Sequence, residues 1–136
     1  MSYLVDTNVL SELVRVKPNA QVVKWFAKLP INSIFLSVLT LGEIRKGIET
    51  VSDHKRKEKL RSWLEHELPD AFSQRILAIT LDVADRWGRL QGEMKRPLPA
   101  IDSLIAATAL HHDLALVTRN SGDFEYPGLE VINPWL

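Results

Sequence analysis

Length, composition and charge narrow the classes of protein to which this sequence can belong. The chain has 136 residues, 46% of them hydrophobic, which is enough for one domain over residues 1–136 with a sizeable core. Its 17 basic and 17 acidic residues cancel, so any contact with nucleic acid must be local. The absence of cysteine excludes a disulfide framework and a thiolate metal site. The sequence has no leader-like segment and no apolar run long enough to span a bilayer, so we expect a soluble cytoplasmic protein with no membrane partner.

Short apolar segments alternate with helical patterns along the whole chain. In chain order, the predicted elements are a strand at Tyr3–Asp6, helices over 8–14 and 21–29, a strand at Ser33–Ser37, helices over 38–51 and 54–68, a strand at Arg75–Thr80, helices over 81–95 and 100–112, and strands at Leu114–Thr118 and Leu129–Ile132. The last helix is apolar on nearly every side and is expected to be buried. This alternation predicts an α/β fold with a parallel sheet covered by helices.

Acidic side chains recur where the predicted strands end. Asp6 closes the first strand, Asp123 follows the fourth, and Glu43 lies early in the helix that leaves the second. Asp102 lies in the first turn of a helix that leads into the start of the fourth strand, so this turn must lie at the opposite edge, where the strands end. Ligand sites in such sheets lie beyond the carboxyl ends of the strands. We therefore expect the four carboxylates to converge at one edge.

Each acid also has a structural interpretation. Asp6 could cap the helix that follows it, and Glu43 could complete a capping box, because the letters TLGE fit the S/T-x-x-E pattern. Asp102 could oppose a helix dipole, and Asp123 could be an ordinary turn residue. The conjunction of all four favours a site, because like charges at one edge raise one another's pKa values unless a cation holds them.

The composition of this edge indicates which cation would bind. The predicted ligands are oxygen atoms only, without histidine or cysteine, and this favours Mg²⁺ or Mn²⁺ over zinc or copper. Polar neighbours are expected at the same edge: Thr7, Asn8, Ser37, Thr118 and Asn120.

Four motifs occur in order: VDTNVLSEL, then GE, DSLIAATAL and LVTRNSGDF. In these motifs the sequence resembles the PIN-domain family, and within it the VapC- and FitB-like toxins of toxin–antitoxin pairs. The resemblance covers the whole chain. It implies a single three-layer domain whose parallel sheet has five strands in the order 3-2-1-4-5. It also implies Mg²⁺- or Mn²⁺-dependent cleavage of RNA.

Eight positions of the chain match the functional positions of that family. The acidic positions are Asp6, Glu43, Asp102 and Asp123, and the polar helpers are Thr7, Asn8, Thr118 and Asn120. We expect Asp6 and Asp102 to bind the metal directly, because they flank the gap between the first and fourth strands. Glu43 and Asp123 are expected to bind it through water or to orient the attacking water.

The partners follow from the same resemblance. A small antitoxin is expected to fold a disordered tail over the acidic edge and over the helices near Val14–Lys28 and Glu43–Val51. The resemblance further implies a homodimer that assembles to higher order with the antitoxin. Basic side chains near the acids are candidates for RNA binding: Arg15, Lys17, Arg45 and Lys46.

Other classes of protein fit the sequence less well. A response-regulator receiver domain needs an aspartate at the end of its third strand and a lysine after its fifth, but here the third strand ends at Thr80 and the fifth is followed by NPW. A phosphatase of the haloacid-dehalogenase type needs D-x-D after its first strand, where this chain has DTN. A non-catalytic PIN-like binding module would have lost one or more of the acids.

Overall fold

The computed structural model describes all residues, 1–136, and contains one five-stranded sheet. The strands are β1 (Tyr3–Val5), β2 (Ile34–Ser37), β3 (Ile76–Leu77), β4 (Ala115–Val117) and β5 (Val131–Ile132). Every neighbouring pair is parallel, and the spatial order is β3-β2-β1-β4-β5. The predicted fold class and strand order are therefore confirmed. β1 occupies the centre of the sheet, between β2 and β4.

Seven α-helices connect and cover the strands. They are α1 (Thr7–Leu13), α2 (Ala20–Ala27), α3 (Val38–Glu49), α4 (His54–Ser62), α5 (Leu68–Ala71), α6 (Leu81–Met94) and α7 (Ala100–His111). The single helix predicted over 54–68 is instead α4, a π-helical segment at Trp63–Glu67, and α5. No helix combines the length and the apolar character needed to cross a membrane.

Two hydrophobic clusters lie on the two faces of the sheet. Leu4 belongs to the cluster that contains Leu90 of α6 and Ile105 of α7, whereas Val5 belongs to the cluster that contains Val9 of α1 and Ile44 of α3. Successive side chains of a strand point to opposite faces, so β1 is buried on both sides by different helices. This arrangement gives the three layers that were predicted, and α7 is buried as expected.

The third strand is shorter than its sequence predicted. Only Ile76 and Leu77 pair with β2, although the Arg75 carbonyl also accepts a hydrogen bond from the Leu36 amide. Thr80, the predicted end of the strand, is instead the N-cap of α6. The predicted strand began at Arg75, whose guanidinium instead donates hydrogen bonds of 2.7 Å to the carbonyl oxygens of Ile31 and Ile34. The Arg75 side chain thus holds the segment just before β3 against the start of β2.

Candidate active site

Asp6 follows β1 directly and is buried, with only 7% of its surface exposed. Its Oδ1 accepts a hydrogen bond of 2.8 Å from the Thr7 amide, and its Oδ2 accepts one of 2.9 Å from the Thr118 hydroxyl. The Asn8 side-chain amide also approaches Oδ2, at 3.4 Å. Asp6 is the N-cap residue of α1, but it bonds only the first amide of the helix rather than the second or third amide that a capping side chain ordinarily reaches. Helix capping therefore explains the hydrogen bond that Oδ1 accepts from α1, but it does not explain the bond that Oδ2 accepts from Thr118.

The hydroxyl of Thr118 has a fixed orientation. Its oxygen accepts hydrogen bonds from the Asn120 amide at 3.1 Å and from the Asn8 side chain at 3.3 Å. Two accepted bonds use both lone pairs of a hydroxyl oxygen, so its single hydrogen must point at Asp6 Oδ2. Asn8 also accepts a bond from the Arg119 amide at 3.1 Å. These bonds tie the end of β1 to the end of β4 and hold the Asp6 carboxylate in place.

Glu43 lies in α3 and points toward α1. Its Oε1 accepts a hydrogen bond of 2.6 Å from the Thr7 hydroxyl. The capping-box interpretation of Glu43 is wrong, because α3 begins at Val38 and its N-cap is Ser37, whose hydroxyl accepts a bond from the Leu39 amide. Glu43 is therefore already inside the helix. Its side chain is exposed and is held at the acidic edge by a residue from the first motif.

Asp102 lies in the first turn of α7, as predicted. This helix has no side-chain cap, but the Ser103 hydroxyl donates a hydrogen bond of 3.1 Å to the Ala100 carbonyl. The same hydroxyl accepts a bond of 2.9 Å from the indole nitrogen of Trp87 on α6. Ser103 is fully buried, so this chain of bonds anchors the turn that carries Asp102 against α6.

The four carboxylates influence one another electrostatically. Burial raises the pKa of Asp6, and the negative charges of Glu43 and Asp102 raise it further, against the lowering effect of its hydrogen bonds from Thr118 and Thr7. Burial also raises the pKa of Asp102, with Asp123 and Glu43 adding to the effect. The acids predicted from four separate segments are thus brought to one edge of the sheet.

No group of three or more His, Cys, Asp or Glu side chains lies close enough together in this structure to hold a metal ion. Like charges without a cation between them repel, and Glu43 is turned toward Thr7. Glu43 and Asp123 are both exposed, and Glu43 uses only Oε1 for the Thr7 bond, so each side chain can present an oxygen to a cation. The donors available to a ligand at this edge are oxygen atoms. The pKa values of Asp6 and Asp102 are raised, and a bound cation would lower them by stabilising the ionised carboxylates. The donor set fits a hard divalent cation.

The candidate RNA-binding residues do not lie together. Arg15 pairs with Glu12 at 3.0 Å, and Arg45 pairs with Glu65 at 3.8 Å on the side of α3 away from Thr7. Lys17 is exposed in the connection between α1 and α2. Only Lys46 lines a groove next to Glu43 without an ion pair of its own.

Sequence reasoning missed two residues near these acids. Glu12 is 5% exposed, and its Oε2 accepts a hydrogen bond of 2.7 Å from the Asn19 amide, which lowers its pKa. Its position four residues after Asn8, on the same face of α1, was the available signal. Tyr126 is also buried, and its burial together with the charges of Asp102 and Asp123 raises its pKa. No sequence spacing linked Tyr126 to the acids, because it comes from the loop before β5.

A family model described as "PIN domain" matches residues 3–127 of the chain. The chain belongs to the PIN domain family. The match begins in β1 and ends after Tyr126. It therefore includes all four acids, together with β1 and β4, the two strands at whose ends Asp6 and Thr118 meet. The resemblance inferred from the motifs is thereby confirmed.

Three named proteins align with nearly the whole chain. It is 37% identical to the plasmid stability protein StbB of Pseudomonas syringae and 36% identical to the toxin FitB of Neisseria gonorrhoeae, each over 97% of both chains. It is 34% identical to the VapC ribonuclease Y4jK of Sinorhizobium fredii, over 97% of this chain and 96% of that protein.

Solved structures of PIN domain proteins have the same fold. The crystal structure of FitAcB from Neisseria gonorrhoeae superposes with a TM-score of 0.89 at 35% identity, over 98% of both chains. The DNA-bound VapBC structure from Salmonella typhimurium superposes with a TM-score of 0.76 at 24% identity, over 98% of both chains, and at that identity it supports the fold alone.

Proposed function

We propose that this PIN domain protein is a metal-dependent endoribonuclease and the toxin component of a toxin–antitoxin pair. The observation that carries the proposal is the convergence of four carboxylates from separate segments at the carboxyl edge of the sheet, beside the fixed Asp6–Thr118 hydrogen bond. Two relatives above 30% identity support it by name, one as a toxin and one as a VapC ribonuclease.

We assign the metal site to Asp6, Glu43, Asp102 and Asp123, and the cofactor to Mg²⁺ or Mn²⁺. When bound, such a cation lowers the pKa of a water and neutralises charge that develops on the phosphoryl oxygens. We assign direct coordination to Asp6 and Asp102, because Asp6 follows β1 beside β4 and the charge of Asp102 acts on it there.

The remaining polar groups position the reacting atoms. Thr118 and the Thr7 amide keep the Asp6 carboxylate from rotating, since each bonds a different oxygen. Glu43 and Asp123 are free enough to orient the attacking water for in-line attack on phosphorus, with departure of the opposite ribose oxygen. Holding these groups before substrate arrives reduces the cost of reorganising them in the transition state.

The experiment is cleavage of a labelled RNA pool by protein stripped of any antitoxin. Cleavage is expected with Mn²⁺ or Mg²⁺ and is expected to stop in chelator, because the acids alone cannot neutralise the developing charge. Comparing the two metals at equal concentration then identifies the preferred cation. Equal cleavage in chelator would refute the metal-dependent reaction.

We further propose that a small DNA-binding antitoxin inhibits the protein. A groove of about 400 Å³ between α1, α3 and α4 adjoins Glu43 and Thr7 and has apolar walls that include Ile44, Ile48 and Trp63. A folding tail can bury its apolar side chains there and reach the acidic edge. The related structures support this partner, since FitAB is described as bound to a DNA fragment.

This partner has a direct test. The product of the neighbouring small reading frame, expressed together with this chain, should co-purify with it and suppress RNA cleavage. Protection of the α3 amides from hydrogen exchange in that complex would place the tail in the groove, and an unprotected acidic edge would refute occlusion. We also propose that the protein forms a homodimer. We further propose that it is located in the cytoplasm, because its proposed substrate, RNA, is found there.

A further inference from the structure

A second groove, of about 680 Å³, lies between α3 and the start of α7. Three residues, Thr7, Glu43 and Gly47, line this groove as well as the one assigned to the antitoxin, so the two grooves meet at the Thr7–Glu43 hydrogen bond. The apolar lining of the second groove includes Val38 of α3 and Ile101 of α7, which are 37% and 40% exposed. The groove is therefore continuous with the acidic edge and has exposed apolar side chains from both helices.

The floor of the groove contains two glycines of α3, Gly42 and Gly47. A Cβ atom built on either glycine meets nothing within 4 Å, and neither residue has a positive φ. Neither packing nor backbone conformation therefore requires glycine, although glycine is less favourable than alanine inside a helix. Gly88 and Gly92 of α6 are equally open, so what distinguishes Gly42 and Gly47 is that they line this groove. There they leave bare helix backbone that a ligand can approach closely.

Lys46 supplies a positive charge at the same groove. It forms no ion pair, whereas the other basic residue of α3, Arg45, pairs with Glu65. Lys57 of α4 pairs with Glu49 at 3.7 Å. Lys46 is thus the one basic residue that lines this groove, and it is left for a ligand. In an RNA strand, the anion next to the scissile phosphodiester is the neighbouring phosphate.

We propose that this groove binds the nucleotide next to the scissile phosphate of an RNA strand. The base and ribose lie over Gly42 and Gly47 against the apolar wall, and Lys46 contacts the flanking phosphate. The inference rests on the proposed ribonuclease function and adds to it the place where the substrate is held. A single-stranded substrate suits such a groove, because an unpaired base can turn its face onto an apolar surface.

The test uses alanine substitutions that add only a methyl group. Gly47→Ala and Gly42→Ala should raise the melting temperature of the full-length protein, because alanine favours the helix and nothing is displaced. Gly88→Ala on α6 is the matched control, since Gly88 is also exposed within a helix with nothing within 4 Å. Thermal melts in chelator record this gain for all three variants.

Binding of RNA should then separate the variants. A fluorescein-labelled 20-nucleotide single-stranded RNA pool is titrated in Ca²⁺, and binding is followed by fluorescence polarisation. The affinity of Gly42→Ala should fall by about tenfold, the typical effect of one misplaced methyl group in a binding pocket. Gly42 is the deciding position because it lines this groove and not the antitoxin groove, whereas Gly47 lines both. Gly88→Ala should bind as wild type does. A stabilised Gly42→Ala protein with wild-type affinity would overturn the assignment of the groove.

The charge of Lys46 has its own readout. Lys46→Gln should weaken binding to all sequences of the pool. It should also reduce the slope of log affinity against log salt by about 1, the value expected for the loss of one phosphate contact. An unchanged slope would show that Lys46 does not contact a phosphate of the bound RNA.

Two further outcomes distinguish the competing explanations. If Gly42→Ala alters self-association in light scattering while RNA affinity is unchanged, the groove belongs to an interface between copies and the inference is wrong. If wild-type protein neither binds nor cleaves RNA, the proposed function fails together with the inference. If wild type cleaves RNA and Gly42→Ala binds it normally, the inference alone fails.

Discussion

Substitution of Asp6 by asparagine tests whether this residue holds a metal or caps a helix. Asparagine is about as good an N-cap as aspartate, so a capping role predicts almost no change in activity. A metal-binding role predicts the loss of charge stabilisation worth about 3 kcal/mol or more in the transition state. This corresponds to a fall of at least about a hundredfold in the cleavage rate.

The effect of Asp6→Asn on stability is a balance of two terms. The Thr118 hydrogen points at Oδ2, so an amide nitrogen placed there leaves a buried donor without an acceptor, at a cost of about 1–3 kcal/mol. Against this, the substitution removes a buried charge whose pKa is raised by burial and by Glu43 and Asp102. We expect a net change within about 2 kcal/mol, or up to about 10 °C in melting temperature. Asp102→Asn has no such hydrogen bond to lose and should be at least as stable as wild type.

The assay is single-turnover cleavage of the labelled RNA pool in Mn²⁺, with thermal melts of each protein in chelator. Asp82→Asn is the control, because Asp82 is an exposed first-turn residue of α6 that lines neither groove beside Glu43. It should keep full activity. An Asp6→Asn protein with wild-type cleavage and wild-type metal binding would refute the assignment of this residue.

The remaining predictions concern pH, positioning and assembly. Because the folded-state pKa of Asp102 is raised, its charge destabilises the metal-free protein at neutral pH. The stability advantage of Asp102→Asn should therefore shrink as the pH falls through that pKa toward the ordinary value of 3.8, and an advantage independent of pH would contradict the shift. The melting-temperature gain given by Mn²⁺ should shrink over the same range, since its ligands must be deprotonated. Thr7→Val removes the 2.6 Å bond to Glu43 and should weaken Mn²⁺ binding by about tenfold in calorimetry, whereas Thr7→Ser should restore it. Light scattering of the isolated chain should give the mass of a dimer, and a strict monomer at high concentration would contradict the homodimer.

Much of the site could be predicted because parallel strands all end at the same edge. The ends of β1 and β4 were visible as apolar runs followed by polar residues, and this alone placed Asp6 and Asp123 together. The direction of α7 followed from the strand after it, which placed Asp102. These inferences needed only the order of elements, and that order is well determined by hydrophobic periodicity.

Contacts between side chains from distant segments could not be predicted in this way. The capping-box pattern around Glu43 was misleading because a local motif does not reveal that α3 begins earlier, at Val38. The Thr7–Glu43 bond joins residues 36 positions apart and depends on how α1 packs against α3. The π-helical segment at Trp63–Glu67 was likewise invisible, because its residues keep a helical pattern of apolar side chains.

The central position of β1 has a consequence for how the protein is made. The first strand to be synthesised pairs with β4, and Asp6 contacts Thr118 across a separation of 112 residues. Until that part of the chain has been translated, β1 lacks one neighbour and the Asp6 carboxylate lacks its hydrogen bond from Thr118. Such long-range contacts form late, since a large loop must close before they can stabilise anything. A nascent chain therefore carries the Asp6 carboxylate without the site around it, and the nuclease activity proposed for this protein can appear only after β4 and Asp123 have been translated.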